Sequence, residues 1–265
     1  MKVAILICAH CRPEILKLTL GTWLEHYDES YDVEVFVSLH SNYSDYSKGL
    51  SEIEEMQNVR IVFVDEIEWN SNHVLRYSAM HAKALAVLMR EALKSDCDYL
   101  AVLDHDLMFN KDFVKWCIED YGDYDLVCGR RDGTIARTDM GNLRFAPKLT
   151  VWNMLMSRRM AVKALEERSV APTIRGGIAY DTLALAYSKM DEWGLKVGIL
   201  SEESVEDYVK HLWSLSFNFG IVSMLVNGKS MGQYREKVNK YVSIYNNRFP
   251  AGIGGLLGKL ERREG

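Results

Sequence analysis

Between Tyr99 and Phe109 the chain reads YLAVLDHDLMF: four apolar residues, Leu100 to Leu103, stop at two carboxylates one residue apart, Asp104 and Asp106. A short, β-compatible run that is apolar on both faces marks a strand buried in a sheet with helices on either side. Sheets of that kind bind ligands beyond the carboxyl ends of their strands. Two acids in that position can share a hard divalent cation, Mn2+ or Mg2+, and such a cation can hold a diphosphate. The competing reading is a plain turn that Asp104 or Asp106 caps. The strand-end position is what favours the metal. Strand alternation turns His105 to the opposite side, where it is expected to pack or hydrogen-bond rather than to ligate.

The same grammar repeats along the chain. VAILIC (3–8) reads as a buried strand, and Pro13 and Glu14 suit the first turn of the helix after it. VEVFVSL (33–39) and VRIVFV (59–64) are the next strands, and the longest helical pattern runs from about His73 to Lys94 into the strand that carries Asp104. DLVCG (125–129), VWNMLMS (151–157) and LKVGIL (195–200) follow as strands, with helices expected near 111–121, 159–168 and 181–194. Alternating strands and helices predict an α/β fold with a mostly parallel central sheet flanked by helices. Two stretches are polar and aperiodic, a loop at 41–49 and a longer loop or irregular hairpin from Arg130 to Ala146; long loops in compact domains are usually functional.

A net charge of −5 gives the chain no general attraction to nucleic-acid backbones or anionic membranes, although arginine pairs at 130–131, 158–159 and 262–263 make local basic patches. Cys8 and Cys11 form a lone C-x-x-C without the second ligand pair that a structural zinc site needs, so the five cysteines read as reduced, mostly buried thiols. MKVAILICAH lacks the long apolar region of a signal peptide, and Leu212–Val226 is too short and polar to span a bilayer. A protein with no integral membrane segment, in the cytoplasm, is the expectation.

The order of these elements, together with HAKALAVLMREALKSDCDYLAVLDHDLMF, VWNMLMSRRMAVKAL, IRGGIAYDTLA and VEDYVKHLWSLS, resembles the GT-A glycosyltransferases, particularly their family-2-like branch, over roughly residues 1–215. The resemblance implies a GT-A domain at 1–228; the C-terminal extension at 229–265 is expected to be helical, near 233–245, or partly mobile. The resemblance also implies transfer of a sugar from a UDP- or GDP-linked donor to a hydroxyl acceptor, a glycan or a modified nucleic acid, with inversion at the anomeric carbon if Asp181 is the base and a retaining course open if Asp181 is structural. Two departures stand out. SLHSN (38–42) occupies the place where many members carry an acidic pair for the base and ribose, and the acidic pair at the catalytic helix is reduced to Tyr180-Asp181.

Carried onto this sequence residue by residue, the resemblance makes Asp104 and Asp106 metal ligands, with Asp104 also at the ribose and His211 as the third ligand. Asp181 becomes the general base. His10, Arg12 and Lys83 fall at the nucleotide, and Arg130, Trp152, Arg175, Gly176 and Gly177 at the acceptor or a phosphate. For each there is an ordinary alternative: a half-buried histidine at 211, a helix cap at Asp181, solvated charges at Arg12 and Lys83, core packing for Trp152, a surface turn at Gly176-Gly177. Two other functions stay open: a sugar-phosphate nucleotidyltransferase, against which the absence of glycine from CAHCRPE (8–14) argues, and a non-catalytic nucleotide- or carbohydrate-binding module.

Overall fold

The computed structural model describes residues 1–9, 12–40, 49–54, 58–65, 76–133, 135–138, 141–212 and 230–260. Its elements in chain order are β1 (Lys2–Ala9), α1 (Pro13–His26), β2 (Asp32–His40), α2 (Ser51–Glu54), β3 (Val59–Val64), α3 (Arg76–Ala92), β4 (Tyr99–Asp104), β5 (Leu107–Phe109), α4 (Phe113–Tyr121), β6 (Leu126–Arg131), β7 (Ile135–Thr138), β8 (Gly141–Phe145), β9 (Lys148–Ser157), α5 (Arg158–Glu166), β10 (Thr173–Arg175), β11 (Ile178–Tyr180), α6 (Ala184–Ser188), β12 (Val197–Leu200), α7 (Glu202–Glu206), β13 (Val209–His211), α8 (Met231–Arg248) and α9 (Gly254–Leu257).

Seven strands form the central sheet in the order β12-β6-β9-β4-β1-β2-β3. All neighbours are parallel except β9, which runs antiparallel to both β4 and β6. This is the helix-flanked, mostly parallel α/β sheet that the strand pattern predicts. Alternate residues of β1 supply its two faces. Val3, Ile5 and Ile7 pack with α1, α4 and α8, and Ala4, Leu6 and Cys8 with α3, α5 and α6. Burial on both sides explains why β1 and β4 read as unbroken apolar runs.

The chain moves outward from β1 through β2 to β3, then returns to place β4 on the other side of β1. The crevice between divergent crossovers therefore opens at the carboxyl ends of β1 and β4. A four-stranded sheet, β10-β11-β8-β7, and a two-stranded ribbon, β13-β5, complete the described strands. Part of the segment expected to be a long loop or irregular hairpin is the hairpin β7–β8. The helix expected at 181–194 is helical only over α6; beyond Ser188 the N–H groups of Lys189 and Met190 reach back three residues, to Ala186 and Tyr187, and the chain tightens into turns. Helix α8 opens on a capping box between Ser230 and Gln233. It buries Tyr234, Val238 and Tyr245 in the cluster that also holds β1 and α1.

No described helix is long and apolar enough to cross a membrane. Cys8, Cys97, Cys117 and Cys128 are free and buried, as expected of structural thiols. Cys11 and the predicted loop at 41–48 lie outside the described residues.

Candidate metal centre and active site

β4 ends at Asp104, in register with Cys8 near the end of β1. His105 and Asp106 make a turn, and the chain resumes as β5, which pairs antiparallel with β13 so that His211 stands opposite Leu107. The Leu212 N–H donates to the Asp106 carbonyl at 2.9 Å and extends that ladder by one bond. The ribbon thereby carries His211 back over two aspartates about a hundred residues upstream. Its Nε2 lies 3.0 Å from Asp106 Oδ1 and 3.7 Å from Asp104 Oδ2. One ligand atom from each of the three lies within 4.8 Å of the others. Side-chain exposure is 5% for Asp106, 9% for His211 and 21% for Asp104, so the cluster is most open at Asp104.

This donor set fits a divalent cation. Two carboxylates and an imidazole suit Mn2+, and three protein ligands leave positions for water or a phosphate oxygen. Burial works against a charge on His211, but its hydrogen bond to Asp106 and the charges of Asp106 and Asp104 outweigh that and raise its pKa; Lys237 pulls the other way. Raised in the fold, His211 stabilises the metal-free protein below its unfolded value of about 6.5, and that contribution disappears as pH climbs through the folded value. Metal binding has the opposite sign, because the imidazole must shed its proton to ligate. Manganese affinity should therefore rise with pH through a midpoint above about 6.5, read by calorimetric titration from roughly pH 5.5 to 8.5. A flat profile would remove His211 from the ligand set.

The turn between the aspartates is pinned from α1. The buried Thr19 hydroxyl lies 2.7 Å from the His105 carbonyl oxygen and 2.9 Å from that of Leu107, and accepts the Leu107 N–H at 3.0 Å. Thr22 accepts the Phe109 N–H at 3.2 Å. His105 is buried with Nδ1 3.0 Å from the Cys8 carbonyl, a hydrogen bond on the side of the turn away from a ligand role. Thr19→Val keeps the shape but strands the Leu107 N–H. That should cost about 1–3 kcal/mol in urea unfolding and weaken manganese binding as the turn loosens. Thr19→Ser should recover most of both, and unchanged metal affinity in Thr19→Val would deny Thr19 its positioning role.

Asp181 follows β11. Its Oδ1 accepts the Thr182 N–H at 2.8 Å, and the Thr182 hydroxyl donates to the Ser78 carbonyl of α3 at 3.0 Å. The next residue, Leu183, is fully buried at φ 59°, in the left-handed region that non-glycine residues seldom adopt. The segment is thus anchored to α3 and held in a sharp turn. Helix α3 also carries His81, whose burial pushes its pKa down against the opposing pull of Asp104 and Asp181. A neutral imidazole therefore sits within electrostatic reach of both the expected base and an expected metal ligand.

Three other expected residues have partners of their own in the fold. Arg12 pairs with Glu14 at 2.7 Å, and Lys83 Nζ donates to the Asp65 carbonyl at 2.7 Å. Arg130 reaches the Tyr187 hydroxyl at 3.4 Å and lies 3.8 Å from Asp132. Arg175 closes the hairpin β10–β11, with Gly176 and Gly177 as its two-residue turn. Both glycines have positive φ, 56° and 75°, the conformation of a type I′ turn. His10 lies outside the described residues, as does the side chain of Trp152, a β9 residue.

Sequence reasoning passed over five residues. Thr19 and Thr22 look like ordinary helix residues until α1 is docked on the Asp-x-Asp turn. His81 reads as one face of a helix. Lys237 and Tyr241 lie in the C-terminal helix, yet Lys237 acts electrostatically on His211, and Asp106 acts on Tyr241. The usable signal was the spacing of Tyr234, Val238, Tyr241 and Tyr245, an inward helical face that includes Lys237.

No protein-family model matches the chain, and no curated protein matches it by sequence. Similar solved structures exist at low identity. S. aureus TarS 1-349 in complex with UDP-GlcNAc is 12% identical with a TM-score of 0.44, over 96% of this chain and 74% of that one. The bifunctional glycosyltransferase WbbM, in its apo structure, is 11% identical with a TM-score of 0.47, over 91% of this chain and 44% of that one. A197 from STIV is 15% identical with a TM-score of 0.38, over 80% of this chain and 85% of that one.

Proposed function

We propose that this protein is a metal-dependent glycosyltransferase of the GT-A type that moves a sugar from a nucleotide-diphosphate donor to a hydroxyl acceptor with inversion. One observation carries the reading: two carboxylates and an imidazole converge at the topological switch point of a mostly parallel sheet. That is where an α/β sheet receives a nucleotide. The family-2-like motifs in the sequence point the same way.

Asp104, Asp106 and His211 would hold Mn2+ or Mg2+. Bound there, the cation would supply charge neutralisation for the departing diphosphate. Lys237, on the inward face of α8, adds positive charge on the same side. Asp104, the most exposed of the three, would meet the ribose as well. Asp181 would take the proton from the acceptor hydroxyl, from the far side of the sugar. The turn that holds it, tied to α3 through Thr182, restricts its direction before substrate arrives. Arg12 and Lys83 would need to leave Glu14 and the Asp65 carbonyl to reach a nucleotide.

The test is a panel of UDP- and GDP-linked sugars, each incubated with the protein with and without Mn2+, with release of the nucleoside diphosphate as readout. Metal-dependent release from one donor is expected. Release of pyrophosphate from a nucleoside triphosphate would point to a nucleotidyltransferase instead. Donor binding with no turnover over hours would point to a binding module.

A further inference from the structure

The four-stranded sheet β10-β11-β8-β7 has one face whose composition is not that of a core. Its register aligns one row across all four strands. Ile135 of β7 pairs with Arg144 of β8, Arg144 with Ile178 of β11, and Ile178 with Arg175 of β10. Residues directly opposite one another in a sheet share a face, so this row presents two arginines alternating with two isoleucines. Ile135 is 72% exposed, Arg144 and Arg175 are exposed, and Ile178 is half-buried. The next row on the same face pairs Thr173 with Tyr180, both half-buried. The opposite face carries Ala179 and Phe145, which are buried. The arginine face is thus turned to solvent, while the other face buries Ala179 and Phe145 and leaves Ile174 of the edge strand β10 37% exposed.

Three features make this face a binding site rather than a plain surface. Neither Arg144 nor Arg175 has a carboxylate within ion-pair distance among the described residues, in a chain whose net charge is −5. The two guanidinium stems stand two strands apart, about 10 Å, a spacing that one small anion does not bridge and a chain of anionic groups does. Tyr180, on the same face, is followed directly by Asp181, and from Ile178 to Asp181 the strand advances about 10 Å. A chain seated on the row needs a ring lying over Tyr180 to bring a hydroxyl toward the expected base.

Resting on the glycosyltransferase reading above, we propose that this face is the acceptor site and that the acceptor is an anionic oligosaccharide. Arg144 and Arg175 take successive acid groups along its chain, Tyr180 lies against a sugar ring, and Ile135 and Ile178 cover the apolar edges between charges. Guanidinium groups suit this task because their planar fork matches an acid group with two parallel hydrogen bonds.

The test uses the full chain and a defined probe, a hexamer of uronic acid, beside a neutral hexamer of the same length and a single-stranded DNA hexamer. Binding is measured by calorimetry at low and moderate salt. The acidic sugar should bind at least about tenfold more tightly than the neutral one and weaken steeply with salt. The double variant R144Q/R175Q should lose about tenfold or more of that affinity while keeping the unfolding midpoint of the parent; both positions are exposed, so the fold is not at stake. Tyr180→Leu should weaken the acidic and neutral hexamers alike. Equal binding of acidic and neutral sugars, DNA binding as tight as the acidic sugar, or a double variant that binds like the parent would each overturn the proposal. Metal-dependent release of nucleoside diphosphate by the unaltered protein, measured without acceptor, reports the underlying glycosyltransferase reading separately.

Discussion

Asp106→Ala is expected to reduce turnover of a nucleotide sugar by about a thousandfold or more and to remove detectable manganese binding. Asp106 is the most buried of the three candidate ligands and hydrogen-bonds His211 directly, so its loss would strip two of them at once: its own oxygen and the partner that orients the imidazole. The buried position raises the question of folding, which Asp104→Asn answers. Asp104 is the most solvent-exposed member of the cluster, and the substitution preserves shape. It should leave the unfolding midpoint nearly unchanged while lowering metal affinity and turnover together. Circular dichroism and a manganese titration on both variants separate the outcomes. Either variant with full activity and full metal affinity would contradict the assignment. Asp106→Ala that merely unfolds while Asp104→Asn stays fully active would contradict it equally.

Asp181→Asn should cut transfer by roughly 10²- to 10⁴-fold, the range a positioned general base contributes, with manganese affinity intact. Asparagine preserves the side-chain oxygen that accepts the Thr182 N–H, so the turn through Leu183 should survive. The loss should fall on kcat with acceptor present and spare donor binding. Transfer at the parental rate would reduce Asp181 to a turn residue, and so would a loss that merely tracks destabilisation. The assay that decides is transfer to acceptor at saturating donor, alongside a donor-binding titration.

The parts of this architecture that could be read from the chain are those governed by local pattern. Leu100–Leu103 and Val3–Cys8 are buried on both faces, so their strands appear as continuous apolar runs. The end of such a run places Asp104 at the ligand-binding edge without further information. His211 is different. Its role depends on β13 pairing with β5 about a hundred residues earlier in a particular register, and a three-residue strand carries too little periodicity to reveal its partner. The same holds for β9, whose antiparallel insertion between β4 and β6 separates two parallel groups and involves a register shift between Cys128 and Gly129. Short strands β7, β8, β10 and β11 left a signal only in the glycine pair at 176–177, which marks a turn and not the sheet around it. The helix expected from Asp181 to Gly194 was too long. It missed the Ser188 hydroxyl, which bonds the Leu185 carbonyl where the helix gives way to turns.

The surroundings of the residues expected at the acceptor and nucleotide were the least legible. Arg12 and Lys83 flank the right strands, but each has a nearer partner in the folded chain. Lys237 lies in a segment that the sequence places outside the main domain, and only the packing of α8 beside α1 brings it near His211. Charged side chains on helices are chosen by whichever partner tertiary packing supplies, and composition does not name that partner.

The most direct examination of the central assignment is a crystal grown with Mn2+ and a nucleoside diphosphate, with diffraction collected at the manganese absorption edge. One anomalous peak should appear within about 2.0–2.4 Å of oxygens from Asp104 and Asp106 and of the His211 imidazole, with diphosphate oxygens completing the shell. A peak elsewhere, or a diphosphate seated away from the carboxyl ends of β1 and β4, would contradict it.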